Sequence, residues 1–77
     1  MRMTVRQLIT RLEQVPKDSF VFVEGYEGGY SDIAVLKETK AALNVNKEDW
    51  MGPHDERPDG KVDAVVLIRE WNTRADL

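Results

Sequence analysis

Two short runs constrain this chain more than any other feature, because they are apolar at every position rather than at alternate ones: Phe20-Val21-Phe22-Val23 and Ala64-Val65-Val66-Leu67-Ile68. Both are β-branched or aromatic in character, too short for a helix and bounded by turn residues, Gly25 after the first and Pro58-Asp59-Gly60 before the second, so they predict strands. Successive side chains of a strand point to opposite sides of its sheet. Phe20 and Phe22 therefore oppose Val21 and Val23, and Ala64, Val66 and Ile68 oppose Val65 and Leu67. A sheet built from these runs has two apolar faces, and both need cover.

The sequence offers one helix to provide it. Thr4 is a good N-cap, with Gln7 three residues on in the T-x-x-Q form of a capping box and Met3 and Leu8 as the accompanying hydrophobic staple. Val5, Leu8, Ile9, Leu12 and Val15 recur at helical spacing on one face, Arg6, Thr10, Arg11, Glu13 and Gln14 fill the other, and Pro16 stops the pattern. Lys17-Asp18-Ser19 makes the turn into the first strand. Ile33, Val35, Lys37, Thr39, Ala41, Leu43 and Val45 keep one parity through a segment of helix-forming composition, and no Gly, Pro or Asn breaks 32–43. One long strand, bent or bulged near Glu38 to Lys40, is favoured there over two. Asn46 to Gly60 reads as a polar loop and Val62 to Trp71 as the last strand, followed by a fraying tail over 72–77. The fold class is α+β: an N-terminal helix packed on a small, mainly antiparallel three-stranded sheet, in the order α-β-β-β, as a single domain over 1–77. The helix covers one face. The other is left to the loop around Trp50 and Met51, or to a second copy in a twofold homodimer.

Composition narrows the function classes. At 77 residues the chain buries only about 60% of its unfolded surface, so its core is modest. Without cysteine it has neither disulfides nor thiolate metal ligands, which suits a reducing cytoplasm. The N-terminus lacks the apolar core of a signal peptide and no stretch reaches membrane-spanning length, so a soluble, unprocessed cytoplasmic protein with no membrane partner is expected. The net charge of −3 and the lack of a long Lys/Arg stripe disfavour nucleic acid. Charge is uneven along the chain. Arg2, Arg6, Arg11 and Lys17 make the helix region basic, whereas Asp18, Glu24, Glu27 and Asp32 are the only charged residues of 18–34.

Chemistry-bearing candidates are sparse. Gly25-Tyr26-Glu27-Gly28-Gly29-Tyr30 sets aromatics and acids on a glycine-rich connection. Gly28-Gly29 permits a backbone nest for an anion, but the neighbouring charges are negative and neither a lysine nor a helix N-terminus adjoins it. A tight turn with positive φ at its glycines is the plainer explanation. His54 with Asp55, Glu56 and Asp59 contains imidazole and carboxylate, the materials of a metal or acid-base site, but a sole histidine cannot build a multi-histidine zinc site. Ser19 and Ser31 lack the setting of an activated nucleophile. Trp50, Trp71, Tyr26 and Tyr30 suit either an aromatic recognition patch or core packing.

The run Thr4-Val5 with Leu8-Ile9, Leu12, Pro16 and Asp18, then Gly25 to Tyr30, then Ala42-Leu43-Asn44-Val45-Asn46 and Gly52-Pro53-His54, resembles small uncharacterised proteins of bacteria and their phages. The resemblance implies a shared fold and a mobile-element origin, with no assigned activity, cofactor or catalytic residue. The expectation is a non-enzymatic binding module, without cofactor or metal, presenting Tyr26, Glu27, Gly28, Gly29, Tyr30, Trp50 and His54 to a protein partner. The alternatives are a protein that sequesters a nucleotide-like small molecule between the glycine turn and the loop after Asn46, within one chain or across a dimer seam, and a metal-assisted hydrolase built on His54.

Overall fold

The computed structural model of the chain describes residues 2–70. The expectations for Trp71 and for the tail over 72–77 lie outside the described residues. Helix α1 spans Val5–Leu12, and strands β1 (Phe22–Glu24), β2 (Tyr30–Ala42), β3 (Asp55–Glu56) and β4 (Val62–Arg69) follow in chain order. The arrangement is α+β with a mainly antiparallel sheet, but the sheet has four strands where three were expected. The additional strand, β3, is two residues long, too short to leave any periodicity in the sequence.

The start of α1 is set as its sequence dictates. The Thr4 hydroxyl accepts from the Gln7 N–H at 3.1 Å while the Gln7 side-chain oxygen accepts from the Thr4 N–H at 2.9 Å, closing both arms of the capping box. The helix then tightens, with Gln14 N–H donating to Arg11 O and Val15 N–H to Leu12 O before Pro16. A turn closed by Ser19 N–H on Pro16 O leads into β1.

Strand β2 is the spine of the sheet. It is one strand, and every other strand pairs with it antiparallel. Ala41 faces Glu56 of β3 and Val62 of β4 at once, so β3 and β4 lie on opposite edges of β2. β1 pairs with Tyr30–Asp32 at the start of β2. The expected irregularity near Glu38 to Lys40 is instead a register shift between Ile33 and Val35. Ile33 lies opposite Arg69 and Val35 opposite Ile68, so the shift breaks the parity that the sequence carries from Ile33 onward and turns Ile33 to the same side as Leu36 and Leu67.

The packing differs most from expectation. The helix is not packed on the sheet: α1 makes no extensive contact with any strand, and Val5, Leu8, Ile9 and Leu12 of its apolar face are all exposed, Leu8 least at 36%. Trp50 is 80% exposed, so the loop around Trp50 and Met51 does not cover a sheet face either. Among the described residues Ala41, at 8%, is the one buried hydrophobic residue. The chain exposes 7318 Å², against about 4,800 Å² for a compact monomer of its mass. Its radius of gyration is 14.7 Å, where about 11.5 Å would be ordinary for this length. Local signals have formed every element but β3, and the apolar side chains of the helix and strands are largely exposed. No helix among the described residues is long and apolar enough to cross a membrane.

Candidate functional site

The candidate residues fall at the two ends of β2. At its start, β1 and β2 form a hairpin closed by the Glu24↔Tyr30 pair and by Gly25 N–H donating to Gly29 O at 3.0 Å. The turn between them carries three consecutive residues at positive φ: Glu27 at 61°, Gly28 at 118° and Gly29 at 67°. Glycine adopts this region freely, whereas a glutamate there stores on the order of 1 kcal/mol. Tyr26 lies under the Arg69 guanidinium, 5.4 Å from ring centroid to cation, which ties the turn to the end of β4.

A row of rings runs along the same end. Phe22 and Tyr30 are diagonal neighbours across the β1–β2 pair, stacked at 6.0 Å, and Phe20 stacks on Phe22 at 6.3 Å. Phe20 is 86% exposed and Tyr30 77%. The sequence reads Phe20–Val23 as an inner strand and does not count its rings with the site, whereas β1 is Phe22–Glu24, pairs with β2 alone and leaves Phe20 ahead of it. The signal was their shared parity, which puts both on the side that the hairpin gives to Tyr30.

Trp50 and His54 belong to the other end. Leaving Ala42, the chain turns through Asn44 at φ 57°, and Val45 and Asn46 N–H groups both donate to Pro53 O, at 2.8 and 3.0 Å. The Asn46 side-chain amide donates to Gly52 O, and His54 Nδ1 accepts from Asn44 N–H at 3.0 Å. His54 thus closes the loop through its ring nitrogen. No group of three or more His, Asp or Glu side chains converges to hold a metal among the described residues. An open hollow of about 330 Å³ adjoins this end, lined by residues that include Ala42, Arg57, Gly60 and Lys61. β2 is 13 residues long, so Tyr30 and this loop stand at opposite ends of the longest strand of the sheet. Within one chain Tyr26, Glu27, Gly28, Gly29 and Tyr30 come together, but Trp50 and His54 do not join them, and the two loops do not close over a common space.

Two exposed ion pairs pin the loop end to the spine. Lys37 Nζ lies 2.7 Å from Glu56 and Lys40 Nζ 2.5 Å from Asp63. The Lys37 ammonium, more than the Thr39 hydroxyl, holds the Glu56 carboxyl below its ordinary pKa, and Lys40 does the same for Asp63. A carboxyl lowered by folding contributes stability above its unfolded pKa and loses it as pH falls through the folded value. Solvent screens both pairs, so the expected effect is small. The thermal midpoint should decline slightly on acidification through the carboxylate range, and a Lys37→Met, Lys40→Met variant should show less of that decline.

Comparison with known proteins adds no relative: no model of a known protein family matches the chain, and neither the curated proteins nor the solved structures contain a match.

Proposed function

We propose that the protein is a non-enzymatic binding module that works as a homodimer and engages a protein partner through the Tyr26–Tyr30 turn. The observation that carries this reading is the stacked row of Tyr30, Phe22 and Phe20, all exposed, beside a turn in which Glu27 adopts positive φ and Tyr26, also exposed, lies under Arg69. Exposed aromatics on a braced hairpin are the common currency of protein recognition, and a strained non-glycine residue at its tip is a cost that a passive connection has no reason to carry. Acidic Glu24 and Glu27 beside these rings favour a basic or mixed-charge partner surface over a phosphate. A phage or mobile-element origin belongs to the same reading and rests on the sequence resemblance.

The homodimer is supported by area. The chain exposes an excess of about 2,500 Å² over a compact monomer, and obligate homodimers bury about 2,000 to 5,000 Å² in total, or about 1,000 to 2,500 Å² per chain. A second copy of this chain, in an interface at the upper end of that range, covers what the loop and helix leave open.

Replacing Tyr26 and Tyr30 by serine tests the turn. Affinity capture with the wild type should recover a partner that the double variant loses by at least about tenfold, the effect expected from removing interface aromatics. Far-UV circular dichroism and solution mass should stay unchanged. Equal capture by a folded double variant would refute the turn as the binding surface, and Trp50→Ala, at the far end, serves as the control.

A further inference from the structure

Paired residues of neighbouring strands share a face of the sheet, and neighbours along one strand alternate, so the β2–β4 pair divides into two sides. One side holds Thr39, Ala41, Ala64 and Ile68, all half-buried or buried, with Val35 and Val66 exposed between them. The other side holds Ile33, Leu36, Val65 and Leu67, of which only Ile33 is half-buried. Leu36, at 67%, is the most exposed aliphatic side chain among the described residues. Leu36 lies opposite Leu67, and Val65 opposite Glu38, so this side is an open aliphatic patch with a carboxylate at its rim.

We infer that α1 of a second copy docks on this patch and that the exchange is reciprocal: the Val5, Leu8, Ile9 and Leu12 stripe of each chain covers Ile33, Leu36, Val65 and Leu67 of the other. This deepens the homodimer reading and rests on it.

The stripe and the patch are complementary in kind, yet within one chain they do not meet. The connection holds them apart. After Leu12 the chain tightens through the bonds donated by Gln14 and Val15, Pro16 ends the ladder, and Ser19 closes a turn on Pro16, so 13–19 is a hydrogen-bonded corner rather than a slack tether. Exchange between copies makes the same helix-on-sheet contact that folding back would make, which is why a swapped element is a low-cost route to a dimer. Twofold symmetry forms the contact twice, so a helix of eight residues goes further toward the area that a stable dimer needs.

Length and charge agree with this docking. The stripe runs about 10 Å from Val5 to Leu12 at about 1.5 Å per residue, and the patch runs about 16 Å from Ile33 to the Glu38–Val65 pair at about 3.3 Å per residue. Arg6 and Arg11 flank the stripe, about 110° to either side of its middle, and one of them comes to the Glu38 end whichever way α1 runs. Among the described residues neither arginine has an ion partner, and neither does Glu38. Tyr30 and Phe22 share the side of Asp32, opposite in parity to Ile33, so the docked helix leaves the aromatic row open to a protein partner.

In one chain Ile9 and Leu36 are both exposed, so a substitution at either should cost that chain little. In the exchanged dimer both are enclosed. Ile9→Asp and Leu36→Asp should therefore each show the mass of one chain by light scattering at a concentration where the wild type is a dimer. Mixed in equal amounts, the two should form a dimer at least about tenfold tighter than either forms alone, because the unaltered helix of one meets the unaltered patch of the other. Both substitutions add an acid, so charge attraction cannot supply that gain. Val35→Asp, next to Leu36 but on the other side of the sheet, should keep the dimer. Where a variant alone is unfolded, recovery of the far-UV circular dichroism signal on mixing reads the same rescue. A wild-type-like dimer from Ile9→Asp or Leu36→Asp alone, a Val35→Asp variant as disruptive as Leu36→Asp, or a mixture no tighter than its components would each overturn the exchange and leave the homodimer standing. A wild type that is monomeric at every concentration would overturn both.

Discussion

Substituting Gly60 by alanine should lower the stability of the protein by at least about 1–3 kcal/mol. Gly60 lies against the backbone of Ala41, and a Cβ there would meet Ala41 O at 2.5 Å and Ala41 C and N at 2.7 Å. None of these is the far end of a flexible side chain. They belong to the most enclosed position of the sheet, the residue where β2 meets β3 on one edge and β4 on the other. Relief therefore requires the Asp59–Lys61 turn to lift away and take the start of β4 with it. Overpacking costs about 1–3 kcal/mol and more where backbone must move, against a total of roughly 4–11 kcal/mol for a chain of this length. The measurement is the denaturant midpoint. The comparison that isolates the contact is Gly52→Ala, where a Cβ meets nothing within 4 Å and φ is ordinary, so its midpoint should be unchanged or slightly higher. Similar midpoints for the two variants would show that the Gly60–Ala41 contact does not brace the sheet.

Local chemistry made much of this fold readable in the sequence. The capping box needed only Thr4 and Gln7, the turn after Pro16 only its own residues, and β2 only its unbroken run without Gly or Pro. What failed had in common that it depended on residues distant in the chain. The shift between Ile33 and Val35 exists to match β4, so the parity of β2 alone placed the irregularity near Glu38 instead. β3 owes its two residues to the antiparallel partner Ala41–Ala42 and carries no pattern of its own. The expectation that α1 packs on the sheet followed from a sound premise, that an apolar stripe seeks cover, but a stripe does not say whose surface covers it.

The site was legible to the same extent. Gly25 to Tyr30 stood out by composition, and the fold holds those residues together because a hairpin turn joins neighbours in sequence. His54 and Trp50 were grouped with them on residue type alone. Their separation is set by the length of β2, and His54 turns out to spend Nδ1 on Asn44. Phe20, Phe22 and Arg69 were missed as companions of the turn because hairpin register and the reach of β4 bring them there.

Unfolding should depend strongly on protein concentration. Among the described residues the helix stripe and most of the apolar strand residues are exposed, and a single hydrophobic side chain is buried. An isolated chain of this kind has little apolar burial with which to offset the conformational entropy of ordering it, about 1–2 kcal/mol per residue for the backbone alone. If folding is completed by association, dissociation and unfolding become one transition, and each tenfold dilution lowers the stability of the dimer by about 1.4 kcal/mol. Across three decades of concentration the loss is about 4 kcal/mol, enough to carry a marginal protein from folded to mostly unfolded at fixed temperature. Thermal midpoints recorded by circular dichroism over that dilution series should fall steadily, and light scattering at the concentrated end should give twice the chain mass of 8.8 kDa. A midpoint independent of concentration, together with a mass of one chain, would mean that α1 folds back over its own sheet in solution. The apolar surface would then be closed within the chain, leaving the Tyr26–Tyr30 turn as a one-chain binding surface.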